Sequence, residues 1–406
     1  MILVPFASED SDFSEDNFPF GIAELPHGPA AVSRIGDWVL DIGALQENRL
    51  ISGPKSLECD DLTQIGRHRL VAIRAQLQKL LSTTISHPQG AYNLPSSCVH
   101  PADSLVMHKP AKIFSYTDFY GGIYHAANVG RMFRPDMPPL LPNYRHIPVG
   151  YFGKANSIVV GGTPVKRPSG QIIASTGAEP TFSLTRELDF ELELGVILGK
   201  GSDIGDTIPM EQAESHFLGY VLINDWSARD IQRWEYQPLG PFLAKSFATG
   251  ISPWLILPEA LQPFLVAGEE QDPMPLPYLR RARLGHHDIE LRIELKTAKM
   301  MEAEVISRPN AKYLYWTLDQ QLTHQASNGS PTEPGDLLAS GTISGPEPAT
   351  YGSLLELTWR GQNPLLLSSG ESRTFLENGD EVTFFGRAGR SGHYVGFGPL
   401  RNKIIS

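Results

Sequence analysis

Strict alternation of apolar and acidic side chains marks one stretch of the chain, Leu188-Asp189-Phe190-Glu191-Leu192-Glu193-Leu194. This period of two predicts a β-strand with apolar residues on one face and carboxylates on the other. Like charges side by side on a sheet destabilise it, so the acidic face needs either open water or a bound cation. The alternation alone leaves two interpretations equally open: the solvated face of an edge strand and a site for a hard cation.

A second acidic signature follows about thirty residues later. The segment 220–226 is an apolar strand that ends at Asp225, and Ser227 is the predicted N-cap of a helix that begins there. On this helix Arg229, Gln232 and Tyr236 share one face at helical spacing and are long enough to reach into a cleft. A solvated helix face would give the same pattern, so this signature is weak by itself.

The length and the glycine and proline content indicate the number of domains and the main type of secondary structure. The chain has 406 residues, enough for two or three domains, and its 38 glycines and 33 prolines favour many short strands joined by tight turns. Apolar periodicity predicts helices over 62–81 and 311–327, and a third beginning at Pro209. A stretch at 83–103, rich in Pro, Ser, Gly and His, predicts a domain boundary. We therefore expect a small domain over 1–108 and a larger one over 109–406.

Several functional classes are disfavoured by composition. The net charge is −11 without a basic cluster, so nucleic acid is not expected as a partner. No apolar run reaches the roughly 20 residues that a membrane span requires, and the N-terminus lacks the features of a signal peptide. The two cysteines, Cys59 and Cys98, cannot build a disulfide framework or a thiolate zinc site. We therefore expect a cytoplasmic protein.

Motifs along the whole chain resemble the fumarylacetoacetase (fumarylacetoacetate hydrolase) family. They include Tyr116-Thr117-Asp118-Phe119-Tyr120, His125-Ala126-Ala127-Asn128-Val129-Gly130, Pro148-Val149-Gly150-Tyr151, the stretch 188–194, Asn224-Asp225-Trp226-Ser227-Ala228-Arg229-Asp230, Pro238-Leu239-Gly240-Pro241-Phe242 and Ser340-Gly341-Thr342. The resemblance implies a mostly β (α+β) protein with an N-terminal SH3-like barrel, followed by a larger β-rich catalytic domain, and a homodimer. The implied activity is hydrolysis of a carbon–carbon bond in 4-fumarylacetoacetate, the last step of tyrosine and phenylalanine catabolism.

The resemblance also implies a metal site. Its ligands would be Asp118, Glu191, Glu193 and Asp225, with Lys245 and Thr249 in the metal neighbourhood. Carboxylate ligands without soft donors suit Ca²⁺ or Mg²⁺ and disfavour zinc. Four carboxylates against Arg229, Lys245 and a dication give a neutral cluster, so the site is expected to be neutral only with the ion bound.

Catalytic roles follow from the same resemblance. Water activation would fall to His125 held by Glu356, and the pattern at 353–359 predicts a strand that carries Glu356. Donors to the developing oxyanion would be Arg229, Gln232 and Lys245. The residues implied in substrate binding are Tyr120, Arg134, Tyr151, Gln232, Tyr236 and Thr342.

The sequence departs from the family pattern beside the implied site. The residues before His125 are Gly121-Gly122-Ile123-Tyr124, where the family usually has a basic residue close to the histidine, and Phe152 stands where a histidine is common. An alternative is therefore an acylpyruvate or other β-diketone hydrolase, decarboxylase or hydratase of the same superfamily. A catalytically silent, metal-stabilised binding protein is a further alternative from another class.

Overall fold

A computed structural model describes residues 2–5, 7–8, 11–53, 59–83, 91–174, 177–282, 284–390 and 393–406. Part of the predicted boundary stretch, residues 84–90, lies outside these ranges. In the part of the chain that is described, no helix is both long enough and apolar enough to cross a bilayer.

The N-terminal region holds a five-stranded antiparallel sheet. Its strands lie in the order β6-β4-β3-β2-β7, and β1 pairs separately with β5. The bounds of the elements are β1 (Ile2–Pro5), β2 (Phe20–Leu25), β3 (Gly28–Ile35), β4 (Trp38–Asp41), α1 (Ile42–Glu47), α2 (Arg67–Thr83), β5 (Ala91–Leu94), β6 (Val99–Pro101) and β7 (Val106–His108). A 3₁₀ turn over Leu62–Gln64 followed by α2 confirms the helix predicted over 62–81.

The middle of the chain supplies most of a seven-stranded mixed sheet, which positions the candidate site. Its elements are β8 (Tyr116–Phe119), α3 (Ile123–Phe133), β9 (Gly150–Phe152), β10 (Ile158–Val160), β11 (Val165–Lys166), β12 (Ser169–Ile172), β13 (Thr181–Leu184), β14 (Leu188–Asp189), β15 (Leu192–Leu198), β16 (Phe217–Asp225), β17 (Ser227–Ala228), α4 (Arg229–Glu235) and β18 (Thr249–Ile251). With β23 (Leu337–Ala339), the sheet order is β10-β18-β16-β15-β23-β8-β9.

The C-terminal part adds a second large sheet. Its elements are α5 (Pro258–Leu261), β19 (Leu265–Val266), β20 (His286–His287), β21 (Ile289–Lys296), β22 (Glu304–Ser307), α6 (Leu318–Gln325), α7 (Leu354–Leu357), β24 (Leu365–Leu366), β25 (Ser372–Arg373), β26 (Glu381–Arg390), β27 (His393–Gly396) and β28 (Leu400–Ile405). The sheet runs β11-β28-β26-β21-β22, with β27 on β26.

Both faces of the seven-stranded sheet are covered by apolar cores. One core joins Leu192, Leu194 and Val196 of β15 to the second sheet, and the other joins Val221 and Ile223 of β16 to the N-terminal region. Burial on both faces explains why most residues of β15 and β16 are large and apolar. The N-terminal region therefore shares a core with the sheet that carries the candidate site.

Two of the predicted helices need correction. The predicted helix over 311–327 is a 3₁₀ turn, Ala311–Tyr313, followed by α6, because a capping box between Thr317 and Gln320 starts the helix late. The helix predicted to begin at Pro209 is wrong, since only a 3₁₀ turn over Ala213–His216 forms in that region.

The acidic stretch also differs from the prediction of one continuous strand. It breaks after Asp189, which belongs to β14, and resumes at Leu192 in β15. Because β15 lies between β16 and β23 and is wholly buried, the interpretation as a solvated edge strand is wrong. The carboxylates of this stretch must therefore be balanced inside the protein.

Candidate active site

Three carboxylates from three strands of the seven-stranded sheet converge at one buried point. Asp118 comes from β8, Glu193 from β15 and Asp225 from the end of β16. Glu193 pairs in register with Ile223, two residues from Asp225, so both carboxylates leave the same face of the sheet. One oxygen from each of the three lies within 4.8 Å of the others. We call Asp118, Glu193 and Asp225 the carboxylate group.

Glu191 lies beside this group rather than in it. It follows the break between β14 and β15, and its two oxygens form ion pairs with Lys245 Nζ at 2.6 Å and Arg229 Nη2 at 2.7 Å. Burial opposes ionisation of Glu191, but Lys245, Arg229 and His125 outweigh it and hold its pKa below the usual value. Of the four predicted ligands, three therefore converge directly, and Glu191 is separated from them by a lysine.

Two lysine ammonium groups are buried against the carboxylates. Lys245 Nζ lies 2.5 Å from Asp225 Oδ2, and Lys154 Nζ lies 2.5 Å from Asp225 Oδ1 and 2.8 Å from Asp118 Oδ2. The prediction that the cluster is neutral only with a dication omitted both Lys154 and Asp189, which pairs with Arg229. Lys154, Lys245 and Arg229 together balance three of the five carboxylates, Asp118, Asp189, Glu191, Glu193 and Asp225. No local sequence pattern singles out Lys154, because its partners are distant in the chain.

The unsatisfied atoms of the site fit a divalent cation with oxygen ligands. Within the described ranges, Glu193 Oε1 and Thr249 Oγ1 are buried without a hydrogen-bond partner, while Glu193 Oε2 accepts from the Gly341 N–H at 3.1 Å. Burial and the neighbouring carboxylates raise the pKa of Glu193 well above its usual value. Burial, only partly offset by the two lysines, raises the pKa of Asp225 to about 6. A bound dication would relieve these costs, and the carboxylate oxygens suit Ca²⁺ or Mg²⁺.

A buried histidine–glutamate pair lies beside Glu191, whose Oε1 is 3.8 Å from His125 Nε2. His125 Nδ1 is 2.6 Å from Glu356 Oε2, and both side chains are almost fully buried. Glu356 also accepts hydrogen bonds from Asn128 Nδ2 at 2.9 Å, Ser344 Oγ at 2.9 Å and Ser353 Oγ at 2.8 Å. Burial disfavours the ionised form, but His125 and these donors lower the pKa of Glu356 overall. Glu356 is therefore an ionised acceptor for the proton on Nδ1.

The segment that carries Glu356 is a helix, which corrects the predicted strand. Ser353 is the N-cap of α7, and its side chain accepts a hydrogen bond from the Glu356 N–H. Leu354 and Leu355 donate their backbone N–H groups to Asp189 at 2.8 and 3.0 Å. The alternation of leucines misled the prediction because it extends over too few residues to distinguish a strand from one helical turn.

The predicted face of α4 is present, although the helix begins one residue later than expected. Ala228 is the N-cap and Ser227 lies in β17, paired with Asp189. Arg229 donates from Nε to Asp189 at 2.8 Å and from Nη1 to Gln232 Oε1 at 3.1 Å. Arg229 therefore links Asp189 to Glu191 and orients Gln232.

A cavity of about 370 Å³ opens onto this site. His125, Asp118 and Glu191 reach its wall, and so do the predicted donors Arg229, Gln232 and Lys245. The six residues predicted to bind substrate also line it: Tyr120, Arg134, Tyr151, Gln232, Tyr236 and Thr342. This volume is within the range of small-molecule sites. The structure thus gathers side chains from distant segments around one space.

Comparisons with known proteins match both parts of the chain. A sequence model described as fumarylacetoacetate hydrolase C-terminal matches residues 115–405, and one described as fumarylacetoacetase N-terminal matches residues 16–110. Among solved structures, a fumarylacetoacetate hydrolase from Exiguobacterium antarcticum shares the fold with a TM-score of 0.53 at 16% identity, covering 96% of this chain and 99% of that one. The fold and the site thus define a protein with the fumarylacetoacetate hydrolase fold.

Full-length relatives narrow this class. The chain is 44% identical to the fumarylacetoacetases of Rattus norvegicus and Homo sapiens, and the alignments cover 100% of this chain and 99% of each relative. It is 43% identical to that of Arabidopsis thaliana, over 98% of this chain and 96% of the relative. The chain belongs to the fumarylacetoacetase family.

Proposed function

We propose that this chain hydrolyses a carbon–carbon bond of 4-fumarylacetoacetate and releases fumarate and acetoacetate, as the last step of tyrosine and phenylalanine catabolism. Family membership supports the reaction class, a hydrolase acting on carbon–carbon bonds in ketonic substances. The observation that carries the mechanism is the 2.6 Å contact between Glu356, which is buried, and Nδ1 of His125, which lines the cavity.

The pair supports water activation by His125. With the proton of Nδ1 directed at an ionised Glu356, the other ring nitrogen, Nε2, is left to accept a proton from water; it lies 3.8 Å from Glu191 Oε1. Glu356 also stabilises the imidazolium that forms. Asn128, Ser344 and Ser353 hold Glu356 in one orientation, so the base is fixed before substrate enters.

Cationic and amide donors in the cavity wall suit the negative charge that develops on the oxyanion during the reaction. Arg229 and Lys245 carry fixed positive charges, and Gln232 accepts from Arg229 through its carbonyl, which leaves its amide N–H₂ to donate. We infer that Arg134, Tyr120, Tyr151, Tyr236 and Thr342 bind the carboxylates and carbonyls of the substrate.

We further propose that Asp118, Glu193 and Asp225 hold Ca²⁺ or Mg²⁺, with Glu191, Lys245 and Thr249 beside the ion. When bound, such an ion polarises a diketone and stabilises the enolate that leaves. Glu193 Oε1 supports this site, because it is buried and has no hydrogen-bond partner among the described residues.

The test of the function is turnover of 4-fumarylacetoacetate, followed by its ultraviolet absorbance, in the presence of Mg²⁺ or Ca²⁺. We expect His125→Ala to lower kcat by about 10²–10⁴-fold while Mg²⁺ and Ca²⁺ still bind. His27→Ala, a half-exposed histidine in the N-terminal region, is the matched control and should leave turnover unchanged. Unchanged turnover in His125→Ala would remove this residue from the mechanism, and absence of turnover by the wild type would refute the proposed substrate.

A related diketo acid is the second candidate substrate. A Cβ on Gly122 would lie 2.1 Å from the Thr342 carbonyl oxygen. The backbone at Gly122 is therefore closer to Thr342, a predicted substrate-binding residue, than any residue with a side chain would permit. Phe152, which stands where a histidine is common, is 63% exposed. Kinetics with a panel of acylpyruvates and other β-diketones, with identification of the products, would separate the two candidates.

We also propose the homodimer implied by the resemblance. Leu239, Phe242 and Leu243, beside the cavity, expose large apolar side chains of the kind that protein interfaces bury. Light scattering should give the mass of two chains, and the mass of one chain would contradict the proposal.

A further inference from the structure

Lys154 occupies a pocket built for an ammonium group inside the candidate metal site. Its side chain is only 3% exposed, and its Nζ contacts Asp225 Oδ1 at 2.5 Å, Asp118 Oδ2 at 2.8 Å and Tyr151 OH at 3.2 Å. The same nitrogen lies 5.0 Å from the centroid of the Tyr116 ring. Two carboxylates, a hydroxyl and an aromatic face are typical partners of a buried ammonium.

The carboxylate partners of Lys154 are the oxygen ligands that a dication would need. Asp118 and Asp225 are two of the three members of the carboxylate group. A dication there would lie within a few ångströms of the ammonium, where like charges repel strongly inside a protein. Lys154 and the ion therefore cannot both make their best contacts.

The contacts indicate which lysine yields. Lys245 also pairs with Glu191 at 2.6 Å, and Glu191 lies outside the carboxylate group. Lys245 therefore keeps a carboxylate when an ion takes Asp225, whereas both carboxylate partners of Lys154 are lost. Lys154 also follows β9 in a turn, with φ of 60°, and its four-carbon stem can rotate without a change of the strand.

We propose that Lys154 is an internal competitor of the divalent ion: its ammonium binds Asp118 and Asp225, and binding of the ion displaces it. The lysine stabilises the chain when no ion is bound and lowers the affinity for the ion. This inference rests on the proposed metal site, and it gives Lys154 no catalytic role.

The test is calorimetric titration of the full, chelator-treated chain with MgCl₂ or CaCl₂ alone, for the wild type, Lys154→Met and Lys154→Arg. We expect Lys154→Met to bind both ions more tightly, by roughly tenfold or more, as is usual for coupled binding events. In chelator it should unfold at a lower temperature than the wild type, because Asp118 and Asp225 lose a partner. Lys154→Arg keeps the charge, so its affinity for both ions should stay closer to that of the wild type than the affinity of Lys154→Met does.

Lys403→Met, an exposed lysine of β28, is the matched control and should change neither property. If Lys154→Met folds only with Ca²⁺, its affinity is measured on the Ca²⁺-loaded protein by competition with a fluorescent chelator, and tighter binding remains the expected result. Binding of equal or lower affinity in Lys154→Met would overturn the inference while the metal site stands. Absence of Mg²⁺ and Ca²⁺ binding by the wild type would instead refute the metal site, and the inference with it.

Discussion

Asp189 and Glu193 come from the same alternating stretch, yet the protein treats them in opposite ways. Asp189 accepts from Arg229 Nε at 2.8 Å and from the backbone N–H groups of Phe190, Leu354 and Leu355. Glu193 accepts one backbone hydrogen bond and, among the described residues, leaves its other oxygen without a partner. Both side chains are fully buried. A buried carboxylate with every oxygen satisfied serves the structure, whereas one with a free oxygen indicates a missing ligand.

The substitution Asp189→Asn tests the contrast between the satisfied Asp189 and the partly unsatisfied Glu193. It has the largest expected effect on stability. The amide removes the charge that faces Arg229 and directs its own N–H₂ at N–H donors. We expect a loss of about 3–5 kcal/mol in the free energy of unfolding, the usual effect of breaking a buried ion pair. Chemical denaturation measures it, with the exposed Asp206→Asn as control. A loss below 1 kcal/mol would contradict a structural role for Asp189.

Glu193→Gln should show the reverse behaviour. Removing one ligand should weaken Mg²⁺ and Ca²⁺ binding by about 100-fold or more. Loss of a residue that only hydrogen-bonds to a ligand already weakens metal binding by up to about 100-fold, and loss of the ligand itself should cost at least as much. In chelator the same variant should be more stable than the wild type by about 1–2 kcal/mol, because a neutral amide replaces an acidic group that burial, Asp118 and Asp225 disfavour. Calorimetry and denaturation measure the two effects, with the exposed Glu302→Gln as control. Lower stability in chelator would show that Glu193 is structural, like Asp189.

His287 extends the comparison to a group that avoids the cost of burial by remaining neutral. His287 is half-buried in β20, and desolvation there, with Arg281 and His286 nearby, lowers its pKa to about 3. The unfolded chain takes up a proton below about pH 6.5, whereas the folded chain does not, so stability falls as the pH drops below 6.5. At pH 5 the loss from this residue is at most about 2 kcal/mol. His287→Phe keeps a ring against Tyr220 and should lose less stability than the wild type between pH 7 and pH 5. Chemical denaturation at pH 7 and pH 5 measures the loss of stability in each protein. An equal loss in the wild type and in His287→Phe would contradict a lowered pKa for His287.

Much of the fold was accessible from the sequence because local patterns report local structure. The apolar periodicity before Thr83 gave the helix α2, and the glycine and proline content predicted a strand-rich protein. The errors fall where a pattern is short or is overridden by tertiary contacts. The break after Asp189 is one such case, because Asp189 pairs with β17 while Leu192 continues into the central sheet. The single helical turn that carries Glu356 is another.

By itself, the sequence determined which residue types were available: a run of alternating carboxylates, a polar face on one helix, and too few cysteines for a soft-metal site. Only the tertiary structure decided which carboxylate is paired, which keeps a free oxygen, and that Lys154 reaches two of them. The reason is that desolvation and Coulomb attraction depend on distances between residues that are far apart in the chain. The period-two alternation predicts only that all acidic side chains of a strand lie on the same face, and it does not distinguish one from another.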